Sequence, residues 1–113
     1  APGRTGKRVR AAVAAFYWTP PSAQALALAG IRTGPSLFKR PPVEVPPELA
    51  DAFALFVRNQ TQWRVGAGGP VGLDYLAMYA DLQLHGVPRK RQRQVMEMLR
   101  MIERAALEYL HKS

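Results

Sequence analysis

Five of the ten prolines lie in one stretch, "IRTGPSLFKRPPVEVPP", which covers residues 31–47. Proline lacks a backbone N–H and restricts the residue before it to extended conformations, so we expect an extended connector here. The connector divides the chain into an N-terminal arm, residues 1–46, and a body, residues 47–113. Because 113 residues is the length of a single domain, neither part is large enough to be a separate one.

Charge distinguishes the two parts. The net charge is +8, and residues 1–42 contain seven basic and no acidic side chains. Residues 43–113 contain nine basic and eight acidic ones, so the positive field belongs to the N-terminal third. Within the arm, the sequence predicts a short helix over residues 9–18. It predicts a second in "PPSAQALALAG", with Thr19 as the N-cap and Gly30 as the stop.

The body contains three segments in which apolar residues recur at helical spacing, about residues 47–63, 73–85 and 88–111. Gly86 and Pro88 separate the second segment from the third. The predicted fold class is therefore all-α: a small three-helix bundle preceded by a basic, proline-rich N-terminal arm with one or two short helices.

Between the first two predicted helices lies "TQWRVGAGGPVGLDY", with four glycines in the seven residues 66–72. We interpret it as a wide helix-to-helix turn that needs positive φ at Gly66, Gly68 or Gly69. A nucleotide-binding loop would instead follow a strand, and a triphosphate loop would end in Lys followed by Ser or Thr. The chain lacks that ending, and Pro70 removes a backbone donor. We expect Asp74 either to cap the second helix or to pair with Arg64.

No constellation of residues is typical of an active site. The chain has no cysteine, and His85 and His111 fall near separate predicted helix ends, where His85 is expected to interact with the helix C-terminus. The acids are scattered, and the few serines have no nucleophile context. We expect a protein that is not an enzyme, with no catalytic residue, no metal site and no cofactor. No apolar stretch approaches the roughly 18–20 residues of a membrane span, so no membrane partner is expected.

A partner-binding site is predicted around the glycine-rich segment. Trp and Arg are the residues most enriched at interface hot spots, and neighbouring glycines allow a partner backbone to approach closely. The alternative for the tryptophan is that it fills the core. The predicted partner-binding residues are Gln62, Trp63, Arg64, Gly66, Gly68, Gly69, Asp74 and Tyr75.

Basic residues provide a second candidate surface. The arm could contact phosphates while Phe16, Tyr17 and Trp18 stack on bases. Against nucleic-acid binding, the body is almost neutral, and the glycine-rich segment is longer than the turn of a helix-turn-helix motif. Basic residues at the start of the third helix have the wrong sign for its dipole, so they are either solvated or face an acidic partner or a phosphate backbone. The predicted basic patch comprises Arg4, Lys7, Arg8, Arg10, Arg89, Lys90, Arg91 and Arg93.

The motif "TQWRVGAGGPVGLDY", preceded by "AFALFVRN" and followed by an apolar helix ending in "HGVP", resembles a phage-related family of small proteins encoded among tail genes. The resemblance covers residues 47–112; the arm departs from the family pattern, which usually has a shorter and more acidic leader. Members look like the downstream, lambda T-like part of the tail assembly chaperones of long-tailed phages.

The resemblance implies an adaptor that binds the tape measure protein, the tail tube protein or both, in the host cytoplasm. It is also compatible with a homo-oligomer. Two alternatives stay open. One is a nucleic-acid-binding module that uses the basic arm, and the other is a structural component that stays in the virion tail.

Overall fold

The computed structural model describes residues 2–39 and 41–112, which form five α-helices and one two-stranded antiparallel sheet. The helices are α1 (Pro2–Phe16), α2 (Ala23–Leu28), α3 (Ala50–Arg58), α4 (Tyr75–Leu84) and α5 (Arg89–Lys112), and the strands are β1 (Trp63–Gly66) and β2 (Gly69–Leu73). Single 3₁₀ turns lie at Pro35–Leu37 and Pro47–Leu49. The predicted all-α fold class is therefore wrong, because the described chain has an α+β fold.

Helix α1 packs along α5 and contributes to the main hydrophobic core. It buries Val9, Ala12 and Val13, which lie at i, i+3 and i+4 and so share one face of the helix. It is also longer than the predicted helix over residues 9–18, since it begins at Pro2. The predicted division at residue 46 stays a prediction, but α1 belongs to the same core as the helices of the body.

An aromatic cluster joins the end of α1 to α3 and to the first strand. Phe56 is fully buried, and its ring lies edge-on to Phe16 at 5.6 Å and to Trp63 at 6.4 Å between centroids. Tyr17 stacks on Tyr109 of α5 at 5.3 Å. Edge-on and offset ring pairs of this kind stabilise a core beyond the area that they bury.

Helix α2 is a short element capped at both ends. Ser22, rather than the predicted Thr19, is the N-cap, and its hydroxyl oxygen accepts a hydrogen bond from the Ala25 N–H at 3.1 Å. Gly30, with φ of +76°, follows the helix as predicted. The connector beyond it has no regular structure in its described residues except the two 3₁₀ turns.

Helix α3 ends at Arg58, five residues before the predicted end at 63. Asn59 is the C-cap, and both its backbone N–H and its side-chain amide donate to the Leu55 carbonyl. A further turn follows, in which the Gln62 N–H donates to the Asn59 carbonyl at 2.9 Å. The helical spacing of the apolar residues continued only to Val57, so the polar segment after it had no helical face to bury.

The glycine-rich segment is a β-hairpin, so its interpretation as a helix-to-helix turn is wrong. Strand β1 pairs with β2 in the register Trp63 with Leu73, Arg64 with Gly72, Val65 with Pro70, and Gly66 with Gly69. Val71 is the extra residue of a bulge in β2. Gly66, Gly68 and Gly69 were the glycines expected to adopt a positive φ. Of these three, only Gly69 does so, with φ of +106°. A tight turn followed by a glycine of positive φ is a common way to close a hairpin.

Helices α4 and α5 lie close to their predicted ranges. Asp74 caps α4, which was one of the two roles predicted for it. Its carboxylate accepts hydrogen bonds from the Leu76 and Ala77 N–H groups. Gly86, with φ of +66°, follows α4 as predicted. Within the described part of the chain, no helix is both long enough and apolar enough to cross a lipid bilayer.

Substitution of single glycines tests the hairpin geometry. We expect Gly69→Ala to destabilise the protein by about 1–3 kcal/mol, because an L-residue is strained at positive φ. The added methyl group meets no atom within 4 Å, so the loss reports backbone strain alone. Urea unfolding is the measurement, and Gly68→Ala is the matched control, with equal space and no positive φ. Equal stability of the two variants would contradict the hairpin.

Candidate functional site

The hairpin is fastened to α5 by one carboxylate. Glu103 accepts a hydrogen bond from the Leu73 N–H at 2.7 Å through Oε2, and another from the Tyr75 hydroxyl at 2.9 Å through Oε1. Burial of the Tyr75 ring, reinforced by the bond to Glu103, raises the pKa of its hydroxyl well above the ordinary value. Tyr75 therefore stays a donor at every physiological pH. The guanidinium of Arg100 lies over the same ring, 5.3 Å from its centroid.

The lack of a side chain at Gly72 leaves room for this contact. A Cβ atom at Gly72 would lie 3.3 Å from Glu103 Oε2 and 3.3 Å from Arg64 Nη2. Any side chain at this position would press on both groups, and Gly72 itself is buried. The "GLDY" part of the motif thus has a structural explanation: a close approach at Gly72, a fully buried Leu73, a helix cap at Asp74 and a tether at Tyr75.

A second contact holds the other end of β2. The Nε2 atom of His111 lies 2.7 Å from the carbonyl oxygen of Pro70. Together with the bond from Leu73 to Glu103, it places both backbone groups on the outer edge of β2 against α5. From the sequence, His111 was expected only to lie near a helix end, and the structure adds this contact.

The predicted partner-binding residues divide into buried supports and exposed groups. Trp63 is half-buried and packs on the core, Tyr75 is tied to Glu103, and Asp74 is the helix cap. The side chains of Gln62 and Arg64 are exposed. The predicted pair between Asp74 and Arg64 is absent from the ion pairs of the described residues, because the Asp74 carboxylate caps α4 while Arg64 extends over Gly72.

The backbone brings the two ends of the motif together. The Asp74 N–H donates to the Gln62 carbonyl at 2.9 Å, just beyond the last strand pair. Gly66 and Gly68 are exposed at the tip of the hairpin, and Gly69 is half-buried there. Their assignment as partner-binding residues stays a prediction.

Apolar side chains are exposed on the outer face of α4. The helix buries Met78 and Leu82 on its inner face, yet Leu76 is 83% and Leu84 is 84% exposed. Tyr79 lies between these two leucines along the helix and is also exposed. A helix that is apolar on all sides is normally buried on all sides, so this face is unusual for a surface helix.

An ion-pair network fixes α4 to α3. Arg58 donates to Asp81 through Nε at 3.1 Å and Nη2 at 2.6 Å, and the Asn59 amide donates to the same carboxylate at 3.0 Å. The hydrogen bond from Arg58, followed by that from Asn59, holds the pKa of Asp81 below its ordinary value against the opposing effect of burial. His85, the C-cap of α4, places Nδ1 2.9 Å from the Asp81 carbonyl oxygen, as expected for a histidine at a helix C-terminus.

The hairpin adds two more exposed apolar residues. Val65 is 71% and Val71 is 56% exposed, on β1 and at the bulge of β2 respectively. A Cβ at Gly66 would lie 3.1 Å from Val71 Cγ1, so Val71 covers Gly66 on that face of the hairpin. The hairpin and α4, which are consecutive in the chain, thus expose five large apolar side chains.

The predicted basic patch is partly neutralised by local acids. Arg8 pairs with Glu48 at 3.5 Å, and Arg91 pairs with Asp51 at 2.7 Å. The side chain of Arg4 lies outside the described residues. The remaining members are exposed and take part in none of the ion pairs within the described chain: Lys7, Arg10, Arg89, Lys90 and Arg93.

The residues that organise the site were missed by the sequence analysis. Glu103 was counted among scattered acids, although it lies four residues after Leu99 and next to Ile102, on the apolar face of the last helix. An acid in such a position signals a buried partner, because a carboxylate is rarely placed there unpaired. Arg58 and Asp81 carried no comparable signal, since single charged residues near helix ends are common on protein surfaces.

Comparisons with known proteins identify a family but not an activity. A family model described as "Phage related hypothetical protein (DUF1799)" matches residues 31–110. A search of curated proteins gave no match, and a search of solved structures gave none either.

Removal of the Glu103 charge tests the tether. We expect Glu103→Gln to lower the free energy of unfolding by about 1.5–3 kcal/mol, because an amide cannot replace both acceptor oxygens of a charged group. Glu97→Gln on the exposed face of α5 is the control and should change stability by less than about 0.5 kcal/mol. Denaturant unfolding with tryptophan fluorescence measures both. If Glu103→Gln lowers the free energy of unfolding no more than the control does, Glu103 does not tether the hairpin.

Acid titration tests the network at Asp81. A carboxyl group with a lowered folded pKa contributes stability that is present above its unfolded pKa of about 3.9 and is lost as the pH falls through the folded value. We therefore expect the wild type to lose stability as the pH falls below about 4, and Asp81→Asn to lose about 1–2 kcal/mol at neutral pH while showing a shallower acid decline. The measurement is the urea unfolding midpoint of the wild type and of Asp81→Asn across this pH range. If the two midpoints fall in parallel as the pH is lowered, the network does not stabilise the protein as described.

Proposed function

The chain belongs to the family of phage related hypothetical proteins whose model covers residues 31–110, and from that premise we propose that it is a non-enzymatic adaptor in phage tail assembly. The adaptor binds the tape measure protein, the tail tube protein or both, in the host cytoplasm. The observation that carries the proposal is the exposed apolar face of α4, formed by Leu76, Tyr79 and Leu84.

This face suits a protein partner on physical grounds. Burial of one exposed leucine contributes about 1.5–3 kcal/mol, so two leucines at the centre of an interface supply a large share of a micromolar affinity. The network at Asp81 holds α4 in place, so the face is presented by a fixed helix rather than by a mobile loop. A preformed surface loses less conformational entropy when a partner binds.

The partner class comes from the resemblance of the "TQWRVGAGGPVGLDY" motif to proteins encoded among phage tail genes. Tail assembly chaperones keep long apolar helices of the tape measure protein in solution and recruit tail tube subunits. An adaptor of this kind needs exposed apolar residues on a stable scaffold, which α4 and the hairpin supply. Gln62 and Arg64 are the motif side chains that would reach the partner, while Trp63, Asp74 and Tyr75 support the surface from within.

Binding to nucleic acid is the second candidate function, and the five exposed members of the predicted basic patch that form no ion pair within the described chain favour it. Two of the aromatic residues suggested for base stacking, Phe16 and Tyr17, pack against the core instead. Affinity for DNA measured against salt concentration separates the candidates, because contacts to several phosphates give a steep dependence.

Co-purification tests the adaptor. We expect the chain to retain the tail tube or tape measure protein encoded by the same phage genome, and we expect Leu76→Ser together with Leu84→Ser to weaken retention by about tenfold or more. The matched control is Leu28→Ser together with Leu37→Ser, which changes two leucines that are also mostly exposed but lie outside α4.

Circular dichroism of both double variants confirms that the fold is unchanged. Retention that survives the α4 substitutions would remove α4 from the interface, and failure to retain either tail protein would overturn the proposed function. Mass spectrometry of purified virions then distinguishes a chaperone, which is absent from them, from a structural tail component.

A further inference from the structure

The two outer edges of the hairpin are not equivalent. On β2, the Leu73 N–H and the Pro70 carbonyl point away from β1, because Glu103 and His111 of α5 contact them. That edge is therefore closed by α5. On β1, the sheet ends, since the described chain provides no third strand.

The register identifies the backbone groups on the open edge. Trp63 lies opposite Leu73, and Val65 lies opposite Pro70. In an antiparallel pair, two opposite residues direct their backbone groups either both towards each other or both away. The N–H and C=O groups of Trp63 and Val65 therefore point outward, and none of the turn, loop, cap or side-chain hydrogen bonds of the described residues involves them.

An open edge of this kind is a template for another strand. Proteins usually protect such edges with proline, lysine, a bulge or a covering element. Here the bulge and the proline lie on β2, the strand that α5 already covers, whereas β1 has neither. Val65 on the open strand is exposed, so no other described element shields it.

We propose that the outer edge of β1 is a strand-addition site for an extended, acidic segment of a partner protein. The segment pairs with the backbone groups of Trp63 and Val65 and places an Asp or Glu opposite Arg64. Main-chain hydrogen bonds hold the segment, and the charge opposite Arg64 selects it.

The charge of the hairpin selects an acidic occupant. Arg64 is the single charged residue of residues 63–73, in a chain of net charge +8. Its side chain is exposed, and its guanidinium extends over Gly72 towards the Glu103 carboxylate, which already accepts two hydrogen bonds. A partner residue opposite Arg64 projects on the same face of the sheet, and the exposed Arg64 side chain reaches it by turning from Gly72 towards the open edge.

The same geometry argues against a second copy of this chain. Antiparallel pairing of two β1 strands that uses all four outward groups sets Trp63 of one copy opposite Val65 of the other. Arg64 then faces Arg64 across the symmetry axis, and like charges directly opposite each other destabilise a strand pair. Hydrogen bonding between two copies is thus opposed by charge, whereas an acidic strand has no such conflict.

This inference deepens the proposed adaptor function and rests on it only in requiring a protein partner. The test uses synthetic peptides and contains no tail protein, so its outcome is independent of the co-purification experiment. The probes are the capped peptide Thr-Val-Glu-Val-Thr and its counterpart with lysine in place of glutamate, titrated into the full-length, nitrogen-15-labelled chain.

We expect the acidic peptide to shift the amide resonances of Trp63 and Val65 while leaving those of α4 unchanged. The lysine peptide should bind roughly threefold or more weakly, as expected when an opposite-charge cross-strand pair becomes a like-charge pair. Arg64→Gln should bring the two affinities together, because it removes the charge but keeps the strand edge.

Val65→Pro tests the backbone part of the site. Proline is tolerated at an edge position whose N–H faces solvent, so the fold is expected to persist, but the donor is lost. Binding of the acidic peptide should fall roughly fivefold or more, while Val65→Thr, which keeps the N–H and the branched side chain, should retain it. An unchanged Leu73 amide resonance confirms that the hairpin is intact in both variants.

Any of three results with the peptides overturns the inference: no shift at Trp63 and Val65 at millimolar acidic peptide, equal affinity for the acidic and lysine peptides, or full binding by Val65→Pro. A dimer that Val65→Pro dissociates, measured by sedimentation, would identify a second copy as the occupant and would also overturn it.

Discussion

The Glu103 carboxylate fixes the end of β2 and the start of α4 against α5. It is carried by α5, whose neighbouring residues Leu99, Ile102 and Ala106 are fully buried, so its own position is set by the core. Its two oxygens receive the last backbone donor of β2 and the first side chain of α4. One charged acceptor thus holds both a strand and a helix, and it acts together with the contact between His111 and Pro70 and with the network at Asp81. Hydrogen bonds to a charged group are the stronger kind, which suits this role.

The same tether explains which surfaces are covered and which are open. By drawing β2 against α5, it closes one edge of the hairpin and leaves β1 facing outward. The tether also fixes the start of α4, and the ion pair between Arg58 and Asp81 fixes the rest of the helix. In this orientation the outer leucines of α4 stay uncovered. An open strand edge and an apolar helix face therefore follow from one internal arrangement.

Local sequence patterns predicted the helices of the body and most of their ends. The apolar spacing around Phe53 and Phe56, the cap at Asp74 and the glycine after α4 depend on residues within one or two turns of each other. Local patterns did not predict the hairpin, because the residues that stabilise it, Glu103 and His111, come 30 and 41 residues after the groups that they contact. Glycine permits both wide turns and hairpins, so the segment was ambiguous on its own. Placement of α1 in the core was missed for the same reason, since its partner is α5.

Site-resolved amide hydrogen exchange on the isolated chain tests most directly whether the hairpin is tethered on one edge and open on the other. We expect the Leu73 amide to exchange as slowly as the buried amides of α5, because its N–H is bonded to Glu103 and its side chain is fully buried. We expect the Val65 amide, which points into solvent from β1, to exchange at nearly the rate of an unstructured chain. Equal exchange rates at Leu73 and Val65 would show a hairpin that opens as a whole, and they would contradict a tether on one edge only.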